Sequence, residues 1–257
     1  MKSAVAIRAF GCNIAVVADC EEVLAALRPY LLPPPGRGLE LAAKEIVVRI
    51  LRREEGFRLA CDGTETSAHD FRSLVVETVR LIDESIVKHL TNLTAVHAGV
   101  VELGGCALLL PGGTRFGKSS LVAELLRRGA VYFSDEYALI DEHGRVHPYP
   151  RPLMLRNSEL DQTPSLPEEW NAPVGRGPAP VRWILALQYH PASAWRVTAV
   201  PQSEAVLILL RNTPHTLKDS PRIVGALERA SAGAQCYTGS RSEAANAVEQ
   251  ILRLVAA

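Results

Sequence analysis

The sequence has no surplus of charge of one sign. Its 28 Lys and Arg balance its 28 Asp and Glu, and no basic stripe stands out along it. Proteins whose main partner is nucleic acid carry an electrostatic footprint of that kind, so nucleic acid is not the expected partner. Long apolar runs are missing too: none approaches the ~18 residues that would suggest a transmembrane helix. The opening MKSAVAIRAFGCNIAVVADC lacks the marks of a secretory signal, with one Lys, an Arg inside the apolar stretch and no clear small-residue cleavage site. The five cysteines, Cys12, Cys20, Cys61, Cys106 and Cys236, are scattered without a C-x-x-C pair. That pattern speaks against a metal site or a disulfide framework and for buried, reduced thiols. The expectation is a cytoplasmic protein with no membrane partner. No internal repeat is visible.

What is present is ordinary for a globular chain: 47% hydrophobic and 22% charged residues over 257 positions, enough for one large domain or one domain with an appendage. The low-complexity spot PPPGRG, Pro33 to Gly38, follows an opening unit. In that unit AVAIRAFGCNIAVVA reads as one or two strands bent at Gly11, and CEEVLAALRPYL as a short amphipathic helix. EIVVRILRREEGFRLACDG reads as a hairpin turning at EEG. FRSLVVETVRLIDESIVKHL carries apolar residues close to helical spacing. Residues 1–90 are expected to form a small α+β domain and residues 91–257 the main domain.

The main domain opens with the strands TAVHAGVVEL and CALLLPG, joined at Gly104-Gly105. A helix from Lys118 to about Arg128 follows, then AVYFSDEYALID and RVHPYPRPLML as strands. A long segment rich in Pro and polar residues, NSELDQTPSLPEEWNAPVGRGPAP, comes next and reads as a lid or substrate loop, or as partly disordered. Strands WILALQY and WRVTAV, helices around SEAVLILLRN and PRIVGALERAS, a strand AQCYTGS and a helix SEAANAVEQILRLV complete the chain.

Within this order, PGGTRFGKSS fits the phosphate-binding pattern G-x-x-x-x-G-K-[ST]. Gly112, Gly113 and Gly117 let the backbone fold tightly enough for successive N–H groups to face an anion. The helix beginning at Lys118 adds the positive end of its dipole. Lys118 can reach β- and γ-phosphates, and the Ser119 hydroxyl can hold Mg²⁺. The loop Gly112, Gly113, Thr114, Arg115, Phe116, Gly117, Lys118, Ser119 and Ser120 is therefore the expected nucleotide site. The match follows an apolar strand and opens an amphipathic helix, which is the context a chance match lacks. Phe116 is expected to point away from the phosphates, against a neighbouring element. Arg115 either does the same or lends charge to the phosphates or an acceptor.

A phosphoryl transferase also needs a carboxylate for metal and often a base. Asp135 and Glu136 stand on the apolar segment after the helix. A strand parallel to the loop's own strand would bring them beside the γ-phosphate, at the edge where α/β sheets bind ligands. His97, on the strand before the loop, is either a hydrogen-bonded core residue or a participant in the chemistry.

The set HAGVV, PGGTRFGKSSL and FSDEYALI resembles the catalytic domain of the HPr kinase/phosphorylase family and its kinase relatives. That family has a His-bearing strand, a G-x-x-x-x-G-K-S loop and an Asp-Asp pair in the same order. The resemblance spans roughly Thr94 to the C-terminus and is strongest through Asp141. The opening IRAFGCNIAV also resembles the small N-terminal domain of the family's uncharacterised kinase relatives. The resemblance implies an α/β fold with a P-loop core of the HPr kinase and phosphoenolpyruvate carboxykinase type. It further implies ATP and Mg²⁺ as cofactors, with Lys118 and Ser119 on phosphate and metal. Asp135 would be the base that accepts a seryl proton, Glu136 would stand near the metal where the family has its second Asp, and His97 would lie close to the phosphates. The family's E-I-R-G-L-G-type segment is absent, with PYPRPLMLRNSELD in its place, so HPr itself is a poor candidate substrate. Relatives lacking that segment include kinases encoded with ribosomal peptide pathways, such as lasso-peptide precursor kinases. By analogy, a protein or peptide serine is the expected acceptor. A small-molecule acceptor, or a nucleotide-binding regulatory protein with little turnover, are the alternatives, and a homo-oligomer is left open. Arg151, Arg156 and Arg176, in the long segment, are candidate cations for orienting the acceptor.

Overall fold

The computed structural model describes residues 3–31, 44–113, 116–156, 162–214 and 219–256. Its elements divide between two compact units, residues 1–91 with 151–166, and residues 92–150 with 167–257. The chain is mixed α/β, with several sheets.

In the first unit, β1 (Ser3–Ala9) and β2 (Cys12–Ala18) pair as an antiparallel hairpin turning at Phe10 and Gly11. The strict alternation of buried and half-exposed residues along β2 marks a strand with one face on the core. Helix α1 (Glu21–Leu27) follows, and β3 (Lys44–Arg53) returns parallel to β2. Then β4 (Gly56–Cys61) and β5 (Thr64–Ala68) add antiparallel strands, giving a sheet in the order β1-β2-β3-β4-β5. β5 was not expected. Its sequence TETSA has little apolar signal, and only Ala68 is buried. Helix α2 (Phe71–His89) covers the sheet with Leu74, Val75, Val79, Leu81, Ile82 and Ile86. Its start is fixed by a capping box, in which the Asp70 carboxylate accepts from the Ser73 N–H at 2.7 Å while Ser73 Oγ accepts from the Asp70 N–H at 3.1 Å.

The second unit opens with β6 (Thr94–Leu103) and β7 (Cys106–Pro111), an antiparallel pair whose residues are nearly all buried on both faces. Helix α3 (Lys118–Arg127) follows. The segment expected as one strand is β8 (Val131–Ser134) and β9 (Tyr137–Ile140), both antiparallel to β6 and separated at Asp135-Glu136. A register shift between Val100 and Val101 puts a bulge next to that break. β10 (Arg145–His147) pairs with β9.

RVHPYPRPLML is not one strand. Pro148, Pro150 and Pro152 remove donors in succession and end β10 after His147. Beyond them β11 (Leu153–Arg156) and β12 (Gln162–Ser165) form a hairpin that belongs to the first unit. A single cut at residue 90 would assign it to the second. Arg151 and Asp83 of α2 are both buried, and Arg151 Nε lies 2.7 Å from Asp83 Oδ2.

The chain re-enters the second unit through a short 3-10 turn at Pro167–Trp170. β13 (Ala179–Tyr189) lies parallel to β7, and β15 (Gln235–Arg241) parallel to β13, with β14 (Arg196–Ala199) antiparallel at the edge. The main path of the sheet is β10-β9-β6-β7-β13-β15-β14. Helices α4 (Gln202–Arg211) and α5 (Ser220–Ser231) bury Ala205, Leu209, Ala226 and Leu227 against Val96, Ala98, Val100 and Leu109. Helices α3 and α6 (Ala244–Ala256) pack on each other, and α3 lies on β6. Gly99 allows that approach: a Cβ there would stand 2.7 Å from Val122 Cγ2 of α3. No described helix is long and apolar enough to cross a membrane.

Candidate functional site

Two adjacent residues of β6 tie the expected site together through the backbone. The His97 carbonyl accepts from the Gly112 N–H at 3.3 Å, and the Ala98 N–H donates to the Glu136 carbonyl at 3.0 Å. The loop leaves from one side of β6 and the acids from the other. β7 and β8 flank this strand, each antiparallel to it, so they run in the same direction without pairing with each other. Both end at one edge of the sheet. β13 and β15, parallel to β7, end there too, which is the edge where open α/β sheets place their ligands.

The loop itself is described at Gly112, Gly113 and from Phe116 onward, while Thr114 and Arg115 lie outside the described residues. Gly117 takes φ +73°, a conformation that L side chains rarely adopt, and forms the N-cap of α3. No side chain caps this helix among the described residues, so its first N–H groups face the loop without a protein partner of that kind. Helix start and glycine loop together form a cradle for an anion. Phe116 departs from expectation. Its ring folds back over the loop's own glycines, since a Cβ on Gly112 would meet Phe116 Cβ at 3.3 Å and one on Gly113 would meet Cε2 at 3.4 Å. Ser119 is half-buried and Ser120 exposed.

Lys118 Nζ donates to the Gly113 carbonyl at 3.0 Å. Burial lowers the pKa of this ammonium, and the negative charges of Glu136 and Asp135 work against that lowering. The cation and both acids therefore share one electrostatic environment. Asp135 is fully buried, while the Glu136 side chain is 36% exposed. The Ser134 hydroxyl accepts from the N–H groups of Glu136 and Tyr137 at 3.3 and 3.2 Å, holding the turn after β8.

His97 sits between two partners. Its Nδ1 is 3.3 Å from Glu136 Oε1, its Nε2 is 3.3 Å from the Tyr137 hydroxyl, and its ring lies on the Tyr137 ring with centroids 4.4 Å apart. Its Nε2 shares a hydrogen bond with the Tyr137 hydroxyl, while Glu136 stands at ion-pair distance from Nδ1. Among the described residues no group of three or more His, Cys, Asp or Glu is placed to hold a metal. The Ser119 hydroxyl and Glu136 carboxylate are hard oxygen donors. They fit Mg²⁺, which keeps its water and phosphate ligands and needs few from the protein.

No protein-family model matches the sequence, and no curated protein matches it. Among solved structures, the HPr(Ser) kinase/phosphatase from Coxiella burnetii is similar at 14% identity and a TM-score of 0.35, over 63% of this chain and 93% of that one. So shallow a likeness decides neither ancestry nor activity.

Two residues of the site have no signal in the sequence: Tyr137, which contacts His97, and Arg241. Arg241, at the end of β15, is 2% exposed and donates to the carbonyls of Phe116 and Gly117 at 3.3 and 2.8 Å. An arginine 124 positions from Gly117 has no local signal, and only the parallel pairing of β13 with both β7 and β15 brings it to the loop. The candidate acceptor cations fare differently. Arg151 is buried in the first unit, with its Nε 2.7 Å from Asp83 Oδ2. Arg156 and Arg176 are exposed, one in each unit.

Proposed function

We propose that this chain is an ATP-dependent phosphotransferase that moves the γ-phosphate to a hydroxyl, most specifically a serine of a protein or peptide. The observation that carries the reading is the meeting, on one strand's neighbouring residues, of a glycine loop with its lysine and a pair of acids. A bare anion-binding loop needs no such pair. Gly112, Gly113, Gly117 and the α3 N-terminus would hold the phosphates, with Lys118 neutralising charge on the β- and γ-groups. Lys118 would leave the Gly113 carbonyl to do so. Magnesium, held by Ser119 and Glu136 together with the phosphates, would withdraw charge from the transferring group.

Asp135 would accept the proton of the acceptor hydroxyl as its oxygen bonds to the γ-phosphorus. The bond from that phosphorus to the β–γ bridging oxygen breaks, and ADP leaves. His97 would steady the Glu136 carboxylate beside it, with Tyr137 fixing the imidazole in turn. A second assignment of the base has an observation of its own. Asp135 is fully buried, whereas Glu136 is part-exposed and coupled to His97, so Glu136 is the acid a hydroxyl reaches without displacing protein.

The test is incubation with labelled ATP, Mg²⁺ and serine-containing peptides, read by mass spectrometry. A phosphoserine product that requires added Mg²⁺ is the expected result. ATP binding without transfer to any peptide or small hydroxyl compound would leave a nucleotide-binding regulator in place of a kinase.

A further inference from the structure

We propose that Arg241 is a positioning residue of the phosphate site: from behind the loop it fixes the last turn and strengthens the N–H groups that face the anion. This rests on the nucleotide-binding reading given above. The guanidinium is buried, and among the described residues its hydrogen bonds all go to backbone carbonyls: those of Phe116, Gly117 and Ser242. No carboxylate of a described residue lies within ion-pair distance of it. Its Nε has no hydrogen-bond partner among the described residues. The face of the Tyr189 ring lies 5.0 Å from the guanidinium carbon, and the Tyr189 hydroxyl donates to Glu243 at 2.7 Å. Burial pushes the guanidinium's pKa down, against the opposing influence of Tyr189 and Glu243.

A buried cation whose hydrogen bonds go to carbonyls, with one aromatic face but no carboxylate of a described residue at ion-pair distance, needs an explanation, because desolvation of an ion is expensive without a counter-charge. The peptide groups it touches supply one. The Phe116 carbonyl shares its peptide with the Gly117 N–H, and the Gly117 carbonyl shares its peptide with the Lys118 N–H. A positive charge on each carbonyl polarises the amide and makes the N–H at its other end a stronger donor. Those two N–H groups open α3, at the end left without a side-chain cap. The negative charge that would balance Arg241 is thus a ligand on the opposite side of the same peptide groups.

The loop is also shaped around this arginine. A Cβ on Gly117 would stand 2.1 Å from Arg241 Nη2, so the glycine is required by the guanidinium as well as by its own φ of +73°. Moving Arg241 would remove a wall of the turn from which Lys118 projects.

The decisive measurement is calorimetric affinity for MgATP, for magnesium triphosphate lacking the nucleoside, and for adenosine, with wild type, Arg241→Met and Arg241→Lys. Circular dichroism would confirm folding at the temperature used. Arg241→Met should weaken MgATP and triphosphate by the same factor, roughly 10- to 100-fold, the scale of a lost charge-assisted hydrogen bond. Adenosine affinity should stay unchanged, which a general loosening of the fold would not allow. Arg241→Lys, with its charge but without a fork to bridge carbonyls, should fall between the two. Folded Arg241→Met with triphosphate affinity within about twofold of wild type overturns the proposal. If Arg241→Met does not fold, a folded Arg241→Lys that binds triphosphate as wild type does overturns it. A wild type that binds neither MgATP nor triphosphate would instead refute the nucleotide reading itself.

Discussion

Replacing Arg151 by Met separates a structural cation from one that serves an acceptor. Arg151 and Asp83 face each other with side chains 7% and 5% exposed and an Nε–Oδ2 distance of 2.7 Å. Arg151→Met leaves the Asp83 carboxylate buried without its cation, and breaking a buried pair in this way costs about 3–5 kcal/mol. For a unit of this size each kcal/mol moves Tm by about 4 °C, so the first unit should melt roughly 12–20 °C lower. Asp83→Leu should cost a similar amount by stranding the guanidinium. The double variant should lose far less. Replacing both members of a buried ion pair by apolar residues of similar volume is often close to neutral, because the desolvation of two ions offsets most of their attraction. Asp83→Leu/Arg151→Met is expected within about 1 kcal/mol of wild type, and the cycle gives the coupling directly. Urea unfolding followed by circular dichroism measures all four proteins, and peptide phosphorylation below the lowered Tm should survive in each. Single variants within about 1 kcal/mol of wild type would refute the buried-pair reasoning, and a stable Arg151→Met that cannot phosphorylate would return Arg151 to the acceptor.

Asp135→Asn should leave MgATP affinity nearly unchanged and cut turnover by ~10²–10⁴, whereas Glu136→Gln should raise the Mg²⁺ requirement; steady-state kinetics across Mg²⁺ concentrations would reject the assignment if the two variants behave alike. Lys118→Ala should abolish transfer while the fold survives. In wild type, affinity for MgATP should fall as pH rises through the lowered pKa of Lys118, below the ordinary lysine value of 10.5, because the ammonium must be charged to pair with phosphate; calorimetry should find no such fall in Lys118→Ala. Asp70→Ala should cost ~1 kcal/mol through loss of the α2 cap. Side-chain and backbone hydrogen bonds from Ser73 hold the Asp70 pKa below 3.8, so its contribution is present above that value and lost as pH falls through the lower one. The gap between wild type and Asp70→Ala in urea unfolding should therefore close in acid.

Much of the element order was legible in the sequence because it is written locally. β6 and β7 are apolar runs separated by Gly104-Gly105, and α2 has helical spacing bounded by its cap. The break between β8 and β9 was less legible. Apolar residues run on either side of Asp135-Glu136, and only pairing with β6 shows that the acids sit on a turn. The prolines around Tyr149 carry a signal, but the apolar residues on either side of them suggest one strand where there are two. Their partners, β9 and the segment Gln162–Ser165, lie in different units, which no local pattern encodes. At the site, the loop and acids could be read from motif and spacing. Tyr137 and Arg241 could not, since each is defined by what it touches rather than by its neighbours in sequence.

The division of the first unit into residues 1–91 and 151–166 has a consequence for biosynthesis. A ribosome releases Asp83 long before Arg151, so the nascent helix α2 must wait for its buried cation until the loop, the acids and β10 have all been made. The N-terminal unit therefore cannot be completed when its first 91 residues emerge, but only once residue 166 has been made, with much of the second unit still to come. Expression of residues 1–91 alone should yield a fragment that lacks the Asp83–Arg151 ion pair and tends to aggregate. A designed chain with the β11–β12 hairpin fused after α2 should give a unit that matures during its own synthesis.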